Sequence, residues 1–97
     1  MPSLSPKTSR PQLVEIHGQL TSQRSHDVAR ELREALGDFE HVCFDLSGVE
    51  SIDVMGLQLL LAARATQRSK GRTLSYSSAS EAVRELCAAL GFQVENG

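Results

Sequence analysis

The chain has 97 residues, of which 40% are hydrophobic and 23% charged, and its formal net charge is −2. This length allows one domain with a modest core, and the balance of residue types argues against a disordered chain. The charge gives no clustered basic face for nucleic acid, the longest apolar run (59–63) is too short to span a bilayer, and no apolar segment follows Lys7 and Arg10 as a secretory signal requires.

Two cysteines, Cys43 and Cys87, lie far apart in the sequence and outside any paired-ligand spacing. Both have apolar neighbours, so we interpret them as reduced, buried thiols rather than as a disulfide. The sequence therefore predicts a cytoplasmic protein.

The N-terminal third contains a proline-rich start, a strand and a helix. Residues 1–11 hold all three prolines and are predicted to form a flexible arm, so that a single domain covers residues 12–97. Residues 12–16 are predicted to form a short strand, ended by Gly18. Apolar residues then recur at intervals of three and four over residues 25–36, which predicts an amphipathic helix.

The middle of the chain carries the most hydrophobic segment. Residues 41–46, HVCFDL, predict a strand in the centre of the sheet, because they are more apolar than a half-solvated strand. A loop around Ser47 and Gly48 is expected next, then an extended segment over 49–52. A second helix is predicted from about residue 53 to 69.

The last third repeats the order of strand and helix. Residues 73–77 predict a strand, and Ser78 with Glu81 has the spacing of a capping box, so the third helix is expected to begin near Ser80. Phe92 and Val94 are expected to pack back on the core. The alternation of strands and helices favours parallel strand pairs joined by right-handed helical crossovers.

The residues needed for catalysis or metal binding are missing from the sequence. His17, His26 and His41 have no partner at a metal-ligand spacing, and the glycines are too dispersed to form a phosphate-binding loop. Asp45 and Asp53 could cooperate as acid and base, but each also stands where a carboxylate accepts backbone N–H bonds. We therefore predict a non-enzymatic protein with no metal and no cofactor.

The segment from residue 45 to 63, DLSGVESIDVMGLQLLLAA, resembles the STAS domain, a family that includes bacterial anti-sigma factor antagonists. The likeness extends over about residues 13–92 and includes the turns at 18–20 and 70–72 and the closing 90–92. It implies an α/β fold, with a mixed β-sheet of four to five strands and three helices packed mainly on one face. It also implies a function in docking to partner proteins.

In the antagonist branch of that family, a serine or threonine follows the motif aspartate and is phosphorylated by a partner kinase. The equivalent position here is Val54, followed by Met55, so the resemblance implies a docking surface without the usual phosphorylation control. Ser51 is an alternative hydroxyl in the same connection. We expect Ser51, Asp53, Val54 and Met55 to belong to the partner-binding surface.

The second helix offers further candidates for that surface. Leu57, Leu60 and Leu61 share an arc that is assigned to the core. The opposite arc is also apolar or uncharged, and it carries Met55, Leu59, Ala62 and Thr66. This stripe either forms part of the interface or is covered by neighbouring helices or by the arm.

Two functions are compatible with the resemblance. The first is a signalling and transcription-regulating adaptor that binds a kinase-like anti-sigma factor or a chemotaxis-type protein, without nucleic-acid binding or direct membrane insertion. The second is a small cytoplasmic STAS subunit that braces the ATPase of a phospholipid-transport ABC complex. Nucleotide binding has also been suggested for parts of the family, but no phosphate loop supports it here.

Overall fold

The computed structural model of the protein describes residues 11–91, which form three strands and three α-helices in strict alternation. The strands are β1 (Gln12–Leu20), β2 (His41–Ile52) and β3 (Thr73–Ser77), and the helices are α1 (Ser25–Leu36), α2 (Val54–Ser69) and α3 (Glu81–Leu90). A short 3₁₀ helix, Ser22–Arg24, connects β1 to α1.

The three strands form one parallel sheet in the order β1-β2-β3, so β2 is central, as the apolar run predicts. Val42 and Phe44 of β2 lie beside Leu74 and Tyr76 of β3, and all four side chains are buried on one face of the sheet. The residues between them are only half-buried. The core therefore lies on one face of the sheet.

Strand β2 is longer than the sequence indicates, and the predicted loop at Ser47 and Gly48 is wrong. The strand continues to Ile52, but its register against β1 shifts twice. Each shift places one extra residue on β2, which is the definition of a β-bulge. The bulges explain why a hydrophilic, glycine-containing stretch stays paired: its backbone keeps a partner strand while the alternation of side chains is interrupted.

Strand β1 also runs further than predicted, to Leu20 instead of ending at Gly18. Gly18 lies inside the strand with a φ of +85°, at the second register shift. A left-handed φ favours glycine. Gly18 therefore marks a distortion within a continuous strand, and the predicted turn over residues 18–20 is absent.

The bounds of α1 agree with the prediction, and its buried residues, Val28, Leu32 and Leu36, lie on one stripe. Helix α3 begins where it was expected, but the predicted capping box is wrong. The Val83 N–H donates to the hydroxyl of Ser80, whereas Ser78 stands outside the helix with a φ of +56°. Ser80 is therefore the N-cap of α3.

Helix α2 is held against β3 by hydrogen bonds from side chains to backbone carbonyl oxygens. The buried hydroxyl of Tyr76 donates to the Leu60 carbonyl oxygen at 2.6 Å, and burial raises the pKa of Tyr76 to about 12. Near the other end of α2, the buried side chain of Gln67 donates weak bonds, 3.4 Å long, to the carbonyl oxygens of Phe39 and Thr73. These contacts align α2 along β3.

The prediction of a mixed sheet with four to five strands is not confirmed, because residues 11–91 contain three strands and both pairs are parallel. The three predicted helices are present. The predicted arm, apart from Pro11, lies outside the described residues, as do Phe92 and Val94. No helix of the described part is long and apolar enough to cross a membrane.

Candidate functional site

Asp53 joins the start of α2 to the end of β1. One carboxylate oxygen accepts from the Gly56 N–H at 3.0 Å and the other from the Ser22 N–H at 2.8 Å. The Asp53 N–H in turn donates to the Leu20 carbonyl oxygen at 3.3 Å. The Ser22 amide bond, followed by the Gly56 bond, lowers the pKa of Asp53 below 3.8, so the carboxylate is charged at neutral pH.

A close contact between backbones explains why the motif has a glycine, Gly56, in the first turn of α2. A Cβ at this position would collide with the carbonyl oxygen of Leu20. The backbone of α2 therefore approaches the end of β1 more closely than any side chain permits. This close approach is what brings the β1–α1 connection to the first turn of α2.

Val54 and Met55 occupy the first two positions of α2 and are 47% and 41% exposed. Asp53 directs the helix start, and both of its oxygens are already engaged by backbone donors. Val54, which the resemblance predicts to be the counterpart of the family phosphorylation site, is therefore exposed and directly follows a formed cap, and its side chain has no hydroxyl. An apolar pair at an exposed helix end is suited to contact with a protein surface.

The two hydroxyls near this helix start differ in accessibility. Ser51 is half-buried near the end of β2, opposite Gln19 of β1. Ser22 is exposed and is tied to Asp53 through its amide. The sequence alone did not indicate Ser22, because it lies 31 positions from Asp53 and no local pattern links the two residues.

The stripe predicted on α2 divides between two environments. Leu59 is half-buried and packs on the core, whereas Ala62 and Thr66 are exposed. All three line a groove of about 220 Å³ between α1 and α2, together with Ala29 and Arg33 of α1. Helix α1 thus covers one edge of the stripe and leaves the remainder open to solvent.

The arc assigned to the core is partly correct. Leu57 and Leu60 are buried, but Leu61 is half-buried at the edge of the core cluster. Leu59 and Leu61 therefore have the same environment: each is half-buried at one edge of the buried stripe of α2. The prediction had assigned Leu61 to the core and Leu59 to the outer stripe. The reason is that α1 and the sheet together enclose a wider arc of α2 than one flat surface would.

Asp45 and the cysteines have structural surroundings. Asp45 accepts from the Ser47 N–H at 2.9 Å, and this bond lowers its pKa below 3.8. The two cysteines form no disulfide, as predicted, but only Cys87 is buried. Cys43 is half-buried, with its sulfur 3.5 Å from the Ser77 hydroxyl. Within residues 11–91, no three His, Cys, Asp or Glu side chains gather as metal ligands.

A comparison with protein families agrees with this architecture. The family model described as Mlab, STAS domain, matches residues 4–94, which is nearly the whole chain. No curated protein matches it. STAS domains are generally non-catalytic, and the family indicates a regulatory or protein-interaction role. Taken with the strand–helix order and the capped, exposed start of α2, the match shows that the chain belongs to the STAS-domain family.

Proposed function

We propose that the protein is a regulatory adaptor of the anti-sigma factor antagonist type. It binds a kinase-like anti-sigma factor or a chemotaxis-type signalling protein through the first turn of α2. The observation that carries this proposal is the exposed Val54–Met55 pair behind an intact Asp53 cap. The Asp53 cap fixes the start of α2, where we place the docking position, and the residue at that position, Val54, is apolar.

The valine has a direct consequence for regulation. A phosphate at this position would add about −1.5 to −2 charges to the contact surface and would lie beside the Asp53 carboxylate. Valine accepts no phosphoryl group, so the surface stays apolar whatever kinase is present. The adaptor therefore behaves as a permanently unphosphorylated antagonist at this position.

Phosphorylation of a restored site tests the regulatory part of the proposal. The wild type, Val54→Ser and Ser51→Ala are each incubated with ATP and a purified kinase-like anti-sigma factor from the native host, and phosphate is mapped by mass spectrometry. We expect phosphate on the Val54→Ser variant only. Stoichiometric phosphate on residue 51 of the wild type, lost in Ser51→Ala, would contradict the proposal.

Partner binding tests the docking surface. Val54→Lys and Met55→Lys place a charge on the exposed pair, and Leu13→Lys is the matched control, because Leu13 is 61% exposed near the opposite end of β1. We expect the first two variants to lose a kinase-like or chemotaxis-type partner in pull-downs from the native host and the control to retain it. Recovery of an ABC ATPase instead would favour the transport-subunit alternative.

The earlier candidate Leu59 is a poor probe of binding. Its side chain is half-buried against the core, so a charge there perturbs packing as well as the surface. Ala62→Lys is the better probe of the stripe, because Ala62 is exposed and a lysine side chain at this position can extend into solvent. Reduced partner binding with an unchanged melting temperature would extend the docking surface along α2.

A further inference from the structure

The solvent-facing side of α2 differs from that of the other two helices. Helix α1 exposes five charged residues and α3 exposes three. Helix α2 exposes an almost uncharged surface instead, which we call the α2 face and define as Val54, Met55, Gln58, Ala62, Ala65 and Thr66. A helix that faces only water normally shows charged residues there. Depletion of charge is typical of the centre of a protein interface.

Arginines border the α2 face on both sides. Arg64 lies on the β3 side, with its guanidinium carbon 5.9 Å from the centre of the Tyr76 ring, and Arg68 lies one turn further along. Arg33 of α1 borders the other side, where it lines the groove with Ala62. Arginine is enriched at protein interfaces and makes bidentate bonds to carboxylates.

These arginines have no carboxylate partner in the described part of the chain. The ion pairs there involve His17, Arg24 and Arg30, and none includes Arg33, Arg64 or Arg68. Residues 54–80 contain four cationic and no acidic residues, whereas the rest of the chain carries six cations and twelve acids. Asp38 and Glu40 lie in the α1–β2 turn beside the C-terminal end of α2, and neither forms an ion pair with these arginines. They leave the arginines along the helix unpaired.

We infer that the α2 face docks a protein surface with an apolar centre and an acidic rim. The inference rests on the proposed function and states the chemistry of its partner. The apolar centre contacts the Val54–Met55 end and the groove, while carboxylates pair with Arg64 and Arg68 on one side and with Arg33 on the other. A second copy of this chain does not fit, since its α2 carries no acidic residue that could pair with these arginines across a two-fold interface.

Two helical peptides probe this chemistry without a host partner. One carries a leucine stripe flanked by glutamates, and the other has lysines in place of the glutamates. Each is titrated into the ¹⁵N-labelled full chain and followed by amide chemical shifts. We expect the glutamate peptide to shift amides along α2 and the facing side of α1. It should bind at least about tenfold more tightly than the lysine peptide, and its affinity should fall as salt is raised.

Charge-matched variants identify the arginines responsible. R64Q/R68Q should weaken binding of the glutamate peptide roughly fivefold and flatten its salt dependence. R30Q/R84Q is the control with the same net charge, and it should leave the affinity within about twofold. Because Arg64 packs on Tyr76, R33Q/R68Q is the second test variant: it leaves that contact in place and should also weaken binding.

Four results would overturn the inference: equal affinity for the two peptides, shifts confined to another surface, a dimer formed through α2, or binding of α2 to vesicles of phosphatidylglycerol and phosphatidylcholine. The last result would assign the surface to a lipid headgroup. Failure here is distinguishable from failure of the proposed function. If the two peptides bind equally well but Met55→Lys still loses the host partner, only the acidic rim is overturned. If the glutamate peptide binds more tightly but no regulatory partner is recovered from the host, only the proposed function is overturned.

Discussion

Replacing Gly56 with alanine should destabilise the protein, although alanine is the better helix former. On helix propensity alone, Gly56→Ala would stabilise α2 by up to about 1 kcal/mol. The added methyl group, however, would collide with the Leu20 carbonyl oxygen, which belongs to the backbone at the end of β1. Since neither backbone can rotate away as a side chain does, the first turn of α2 must separate from β1.

The size of this effect follows from the two opposing terms. Overpacking costs typically about 1–3 kcal/mol, and a collision with backbone belongs at the upper end of that range. After the gain in propensity, we expect a net loss of about 2 kcal/mol in the free energy of unfolding. For a domain of this size, that loss lowers the melting temperature by roughly 8–16 °C.

Urea denaturation followed by far-UV circular dichroism measures the loss, with amide exchange at Ser22 and Asp53 as a local readout. Both amides should exchange faster in Gly56→Ala, because they bond across the junction that opens. Gly71→Ala is the control: its φ is +74° but nothing lies within 4 Å, so strain alone should cost about 1 kcal/mol. A Gly56→Ala variant as stable as the wild type would refute the reasoning.

Three further predictions concern the cap of α3, the junction at Asp53 and the buried phenol. Ser80→Ala should lower the free energy of unfolding, measured by urea denaturation, by about 1 kcal/mol, because it removes the cap of α3. Ser78→Gly should not lower it, because glycine relieves the left-handed φ at that position. If Ser78→Gly were the more destabilising of the two, Ser78 and not Ser80 would be the cap. The pKa of Asp53 is lower in the folded than in the unfolded chain, so the free energy of unfolding should fall as the pH drops from about 5 to about 2. This fall should be less steep in Asp53→Asn, and the same slope in the variant and the wild type would contradict the prediction. Tyr76 is the only tyrosine, so absorbance at high pH should show its phenol titrating near pH 12 in the folded chain and near pH 10 in urea. The protein should therefore lose stability as the pH rises between those two values. A midpoint near pH 10 in the folded chain would instead show that the hydroxyl is accessible to solvent.

Local signals in the sequence determined most of the secondary structure. The three- and four-residue spacing over Ser25–Leu36 was sufficient for α1, because a helix buries one stripe whatever it packs against. The apolar run over residues 41–46 identified the central strand for a similar reason. Asp53 was also correctly interpreted as a cap, since capping depends on residues only three positions apart.

Contacts between distant residues decided the rest. Ser47 and Gly48 remain in a strand only because β1 supplies partners for a bulged backbone, and no pattern within β2 records this. Leu59 is half-buried because α1 lies beside it, and Ser22 meets Asp53 across 31 positions. The motif of Asp53, Gly56 and Leu57 marked the family and the helix start. The charge-poor α2 face and its three arginines became visible only when the structure brought α1 and β3 to the two sides of α2.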